Sequence, residues 1–242
     1  MGLTGLIRLI RPIIPLMRID LNCDLGEGFP HDAELMPLIT SANICCAAHA
    51  GNEAASRAAL SLADKHGVQA GAHPGFADRE HFGRRELAFP PDGVRDLCLA
   101  QLRVLAALSP VPIAYVKPHG ALYNMACRDD ALAWPLATLG LPVMGLPGSA
   151  LERGCRRAGT AFVPEGFADR RYREDGSLVP RDQPGAFIES AEEAVEQAKR
   201  LIATRGVKTL CVHGDNPEAV AFVKALRAAL LAAGFAIERF TT

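Results

Sequence analysis

The chain has 242 residues, 49% of them apolar, a length and composition that suit one α/β domain with a sizeable core. A formal net charge of -1 excludes a dominant attraction to nucleic acid or to an anionic membrane. The seven cysteines are odd in number and form no C-x-x-C pair. They read as free buried thiols of a reducing cytoplasm, not as a disulfide framework.

Residues 1–16 mix Leu and Ile with Arg8, Arg11, Pro12 and Pro15. This run is too short and broken for a membrane span, and it lacks the small-residue cleavage site of a secretory signal. We expect Met17 to open the folded domain, with 1–16 as an N-terminal extension and 17–242 as one domain. Strands are expected at 18–24, 39–46, 68–73, 112–118, 142–146, 160–165 and 207–213, with a weaker one at 235–240. Helices are expected between them. Residues 53–66 start after Asn52 as N-cap and stop at Gly67; residues 93–108 start after Asp92 and repeat apolar groups at helical spacing. A helix over 149–158 runs to Gly159. Ser190 and Glu193 have capping-box spacing before a helix ending near Gly206, and Asn216–Pro217 read as N-cap and N1 of a helix closing at Gly234. Within 130–139, Pro135 bends or ends any helix. Alternating strands and helices imply parallel pairing, and about seven such units imply a single (β/α) barrel, with a doubly wound open sheet as the alternative.

Polar residues gather at the C-terminal ends of these strands. The first carries Asp20, Asn22 and Asp24, followed by Glu27; the second carries Asn43 and leads to His49; the third ends at His73. The fourth ends in Lys117 and His119, the sixth at Glu165, and the seventh in His213 and Asp215. Residues two apart on a strand share a face, so each group points to one side. A single polar site at the C-terminal mouth of a parallel barrel accounts for all of them. Loops 74–91 and 166–186 add Arg79, Arg84, Arg85, Arg170, Arg171 and Arg181, which suit a carboxylate or phosphate. Phosphate-loop, dinucleotide, H-E-x-x-H and G-x-S-x-G motifs are absent. Asp20, Asn22 and Asp24 mimic the start of a calcium loop, but Leu25 and His31 stand where that loop needs Gly and Glu. Asp24 with two of His49, His73, His119 and His213 could supply a mixed N/O site for a divalent metal, although no sequential ligand motif marks one.

The stretches IDLNCDLGEGF (19–29), SANICCAAHAGN (41–52), GAHPGFADREHFGRREL (71–87), VKPHGALYN (116–124), EGFADRRYREDGSLVPRDQPGA (165–186) and CVHGDNPEAV (211–220) resemble the LamB/YcsF family. The resemblance implies a seven-stranded barrel related to glycoside hydrolases and carbohydrate deacetylases. It also implies ATP-coupled opening of 5-oxoproline, ATP with Mg as cosubstrate, and B and C partner subunits. In that reading Asp24, Glu27, His49, Lys117 and His119 are catalytic. Asn22, Asn43, His73, Arg84, Glu165, Arg170, His213 and Asp215 bind substrate or nucleotide. One stretch departs from the family pattern Gly-Phe-His-Ala-Gly-Asp: here residues 47–52 read Ala-Ala-His-Ala-Gly-Asn, and Asn52 keeps only the capping ability of the acid. Two rival readings stand beside it: an ATP-independent metal-dependent amide hydrolase or deacetylase, and a non-catalytic delivery subunit.

Overall fold

The computed structural model describes residues 17–181, 183–214 and 218–242. The expected extension 1–16, Asp215 and the Asn216–Pro217 cap lie outside them. Strand β1 (Met17–Leu25) leads through the short helix α1 (Asp32–Leu35) to β2 (Ser41–Cys45), and α2 (Glu53–His66) returns the chain to β3 (Gln69–His73). Helix α3 (Pro91–Leu108) follows, then an extended segment at 114–117, then α4 (Gly120–Arg128) and α5 (Asp130–Ala137). The rest alternates: β4 (Val143–Gly145), α6 (Ala150–Ala158), β5 (Phe162–Phe167), α7 (Ala191–Arg205), β6 (Thr209–Val212), α8 (Ala219–Ala232) and β7 (Phe235–Ile237).

All the ladders between named strands are parallel, and the hydrogen-bonded order is β3-β2-β1-β6-β5-β4. The two edges of that order are joined by the 114–117 segment. Val116 forms parallel bridges to Ala72 of β3 and to Val143 of β4. The Ala72 and Met144 amides donate to Tyr115 O and Val116 O at 2.8 Å, and Lys117 N donates to Ala72 O at 2.9 Å. The ring therefore closes as a barrel. The expected strand 112–118 is this closing stave. It is short because Pro112 and Pro118 have no N–H to extend a ladder. The expected strand at 235–240 is reduced to β7, which pairs with the start of β1 outside the ring.

The cap signals locate most helix ends. Asn52 Oδ1 accepts from Ala55 N at 2.9 Å and Gly67 ends α2 at φ 65°. Ser149 and Ser190 cap α6 and α7, which end at Gly159 and Gly206 in the left-handed region. Asp92 is not a cap: α3 starts at Pro91, so Asp92 sits in the first turn, where its charge favours the helix dipole. Helix α5 runs through Pro135 without ending there. The helices press their apolar faces on the barrel through two clusters. One centres on Leu21, Ile44, Leu60 and Leu226, the other on Phe76, Val94, Leu122 and Leu136.

Candidate active site

Asp24 is the penultimate residue of β1, His73 ends β3, and Lys117 and His119 leave the closing stave, so barrel curvature turns all four to the C-terminal mouth. Glu27 and His49 join them from the loops after β1 and β2. The Lys117 ammonium lies 2.9 Å from Asp24 Oδ1 and 3.0 Å from Glu165 Oε1, and also 3.0 Å from Cys211 Sγ. Burial alone would lower its pKa, but the carboxylate of Asp24, with Glu165 beside it, outweighs that and holds it well above the ordinary lysine value. Burial would likewise raise the carboxyl of Asp24, but His73 and Lys117 hold it well below the usual range. Lys117 is thus a fixed positive charge and Asp24 a fixed negative one.

Asn22 and Asn43, expected to bind substrate, lie fully buried beneath this pair and do not line the cleft. Asn43 Nδ2 donates to Asp24 Oδ1 at 2.8 Å and to Asn22 Oδ1 at 2.7 Å, and its own Oδ1 accepts from Tyr115 OH at 2.7 Å. They orient the ionic pair. Glu165 is also fully buried and acts on Lys117 from below. Asp20 is deeper still, held by Thr40, Ser41 and Thr209, with its pKa raised by burial to about 6.

The three histidines form one cluster with Glu27. His49 and His119 stack in parallel at 3.8 Å, and His73 meets both edge-on. His73 Nδ1 lies 2.7 Å from Lys117 O and His119 Nε2 lies 2.8 Å from Phe82 O. A carbonyl only accepts, so each ring donates its N–H there and presents a lone pair inward. Those two inner nitrogens are 2.9 Å apart. Asp24 Oδ2 is 3.3 Å from His73 Nε2, and Glu27 Oε1 is 3.4 Å from His119 Nδ1 and 3.1 Å from His49 Nε2. Inward-facing acceptors this close need a shared cation, either a proton or a metal.

The residues fit a metal. Tetrahedral sites with bonds of about 2.0–2.1 Å have donor-to-donor edges of about 3.3 Å; four of the pairs here span 2.9 to 3.9 Å, and all the donors lie within 4.8 Å of one another. Glu27, His49, His73 and His119 are the residues that would hold the ion. The set centres on Glu27, whereas the sequence pattern centres it on Asp24; Lys117 already neutralises the Asp24 oxygen that faces it. A second grouping, Asp24, Cys211 and His213, has the Lys117 ammonium among its donors, which repels another cation. Burial pulls the His119 pKa well below its ordinary value and that of His49 below it too, so both stay neutral and ligand-competent. The seven cysteines are all free, and burial pushes Cys45, Cys98, Cys127 and Cys155 up to about 12, so none of these is a thiolate nucleophile.

The mouth opens into a cleft of about 760 Å³, a size suited to one small ligand. Arg84, Arg170 and Arg181 reach it, joined by Arg173 and Arg205, which the loop pattern did not single out. Arg79 instead binds the carbonyls of Ala47, Ala50 and Gly51, Arg85 pairs with Asp78, and Arg171 pairs with Glu193. Arg170 is 5% exposed and bonds the carbonyls of Val179 and Ala186. Burial, with Arg181 nearby, lowers its pKa to about 10. His213 lines the cleft as expected, but its partner Asp169 escaped the sequence reading. Asp169 follows a strand end inside an irregular loop, where no periodicity marks it. Its one signal is its place in the FADR stretch. Asn52 is exposed and caps α2, so its amide stays outside the cluster, while Ala47 occupies the left-handed region at φ 59°.

Fold and site together define a parallel α/β barrel that collects buried carboxylates, imidazoles and one ammonium at its C-terminal mouth. The chain belongs to the LamB/YcsF family, whose model matches residues 19–242. It is 44% identical to the A subunit of 5-oxoprolinase from Neisseria meningitidis serogroup C, across 92% of this chain and 99% of that one. It is 41% identical to the A subunit of 5-oxoprolinase from Thermus thermophilus, across 93% and 100%. The crystal structure of a lactam utilization protein, also from Thermus thermophilus, superposes with a TM-score of 0.85 at 39% identity, across 93% and 100%. A family 4 carbohydrate esterase from Streptomyces lividans shares the fold, with a TM-score of 0.52 at 11% identity, across 93% of each chain.

Proposed function

We propose that this chain opens the lactam ring of 5-oxoproline to give glutamate, coupled to ATP hydrolysis, as the A subunit of a complex with B and C subunits. The observation that carries the reading is the Lys117 ammonium clamped between Asp24 and Glu165, beside the imidazole–carboxylate cluster, at the floor of an arginine-bearing cleft. The names of the relatives supply the substrate class.

A five-membered lactam is an unreactive amide that closes readily, so its opening needs activation. Transfer of the terminal phosphoryl group of ATP to the lactam oxygen releases ADP and the lactam N–H proton and gives an imidate phosphate, with Mg accompanying the nucleotide. Lys117 is placed to stabilise negative charge developing on the substrate oxygens, and Arg170 and Arg84 to hold the carboxylate or phosphate. Water then adds to the ring carbon. Its proton passes to the cluster of Glu27, His49, His73 and His119, where the inward nitrogens of His73 and His119 together offer one site for a cation. A divalent ion held by that cluster would polarise the water or the substrate oxygen.

The test is glutamate release from 5-oxoproline and ATP by this chain alone and with its partner subunits. The expected result is release from the assembled mixture only, with one ADP per glutamate. Release without ATP would instead favour a metal-dependent amide hydrolase, the reading that the donor spacing of the histidine cluster supports. Full turnover by a complex carrying Lys117→Met would leave this chain a delivery subunit.

A further inference from the structure

The proposed reaction has a step that the cluster and Lys117 leave open. Adding water to an imidate phosphate gives a tetrahedral carbon bearing a hydroxyl, a phosphate and the ring nitrogen. Two exits compete. If the C–O bond to phosphate breaks, the electron pair leaves with phosphate, the lactam re-forms and the ATP is wasted. If the C–N bond breaks, the ring opens to an acyl phosphate, which water hydrolyses to glutamate and phosphate. Phosphate is by far the better leaving group unless the nitrogen is protonated as it departs. A productive site therefore needs a proton donor aimed at the nitrogen, apart from the group that takes the proton of water.

The cleft holds one such arrangement. Asp169 Oδ2 accepts from His213 twice, from the backbone N at 3.0 Å and from Nδ1–H at 2.7 Å. Asp169 is buried and His213 holds its carboxyl below the usual range although burial opposes this, so it is an acceptor and not a donor. The ring hydrogen bond fixes the tautomer, with the proton on Nδ1 and Nε2 left for chemistry. The ring lies parallel to Phe167 at 5.8 Å, which blocks rotation on that side. His213 lines the same cleft as Lys117, His73 and His119 but follows β6, whereas His49 follows β2 and His73 ends β3. A ring nitrogen of His213 lies within 4.8 Å of the Asp24 carboxylate, so it borders the reacting space without joining the Glu27 cluster.

We propose that His213 delivers the proton to the ring nitrogen as the C–N bond breaks, and that Asp169 is the positioning residue that aims it. The proton that water gives up on adding passes through the cluster to the ring nitrogen. As the C–N bond breaks, the imidazolium gives its Nε2 proton to that nitrogen, completing the amine, and the hydroxyl proton released as the carbonyl forms recharges the imidazole. This rests on the lactam reading above, and it makes the Asp169–His213 pair the device that couples ATP use to ring opening.

The experiment measures phosphate and glutamate together in the assembled complex, with His213→Gln and Asp169→Asn placed in this chain. Wild type should give one phosphate per glutamate; failure of the wild type to release glutamate sinks the lactam reading itself. With wild type active, His213→Gln should lose about 10²–10⁴-fold in glutamate release while 5-oxoproline-dependent phosphate release persists, so the ratio rises far above one. Asp169→Asn should raise the ratio in the same direction with KM little changed. A ratio that stays at one in both variants, at whatever rate, overturns the proposal. If His213→Gln fails to fold by circular dichroism, Asp169→Asn decides alone, and added imidazole with His213→Ala should lower the ratio again.

Discussion

Removing Lys117 leaves two buried carboxylates, Asp24 and Glu165, without the cation they share. Breaking a buried pair by deleting one partner costs about 3–5 kcal/mol. We expect Lys117→Ala to lower the unfolding free energy by that amount, read from urea denaturation. Asp24→Asn paired with Lys117→Met should cost less than the sum of the single changes. His119 sets a pH dependence. Its native pKa lies well below 6.5 through burial and the neighbouring His49 and His73, while the unfolded chain takes a proton near 6.5. The unfolded state then binds more protons below pH 6.5, so this contribution is complete above that pH and declines as the pH falls. The unfolding free energy should drop by up to about 1.4 kcal/mol per pH unit on this account. The slope should be shallower in His119→Gln. Sequence reasoning found most of these residues because charge at a strand end is conspicuous. It gave the face of Asp20, Asn22 and Asp24 but not their depth, since alternation fixes direction and only the finished barrel fixes how far below the mouth each one lies.

At the scale of elements, close approach decides what sequence patterns leave open. A Cβ on Gly71 would lie 2.3 Å from the Tyr115 ring, whose hydroxyl holds Asn43. Gly71→Ala should therefore displace the closing stave and destabilise the fold by about 1–3 kcal/mol, the usual cost of overpacking. Amide exchange should quicken at 114–117. Helix α4 carries no start signal in the sequence because it begins at Gly120 with φ 50° and has no capping side chain before it. A Cβ there would meet Gly83 O at 2.7 Å, so the glycine is needed for contact with the 74–90 loop, not for helix formation. Helices with Ser or Asn before them and Gly after them were legible because their end signals are local.

For the whole molecule, the barrel followed from alternation of strand and helix and its closing stave from the apolar run at 112–118; that the stave pairs through a single residue on each side did not, since the flanking prolines that shorten it act only once the ring is formed. Its metal capacity is a whole-molecule property as well, because Glu27, His49, His73 and His119 come from four separate stretches of chain. A divalent ion such as zinc at a hundredfold excess over its Kd should stabilise the fold by about 2.7 kcal/mol, seen as a rise in Tm. Chelation should reverse it, and His73→Gln should abolish it. No helix among the described residues is long and apolar enough to cross a membrane.

The stave at 114–117 has a mechanical consequence. A hoop is weakest where its ends meet, and the ends meet here through one bridging residue on each side. Lys117, the last residue of that stave, reaches across the lumen to Asp24 of β1 and Glu165 of β5, acting as a strut between the clasp and the far wall. The charge that serves the chemistry therefore also keeps the hoop shut. A ligand that draws Lys117 away from either carboxylate will slacken the barrel at its seam, and loading of the site will be felt as a change of tension around the whole circumference.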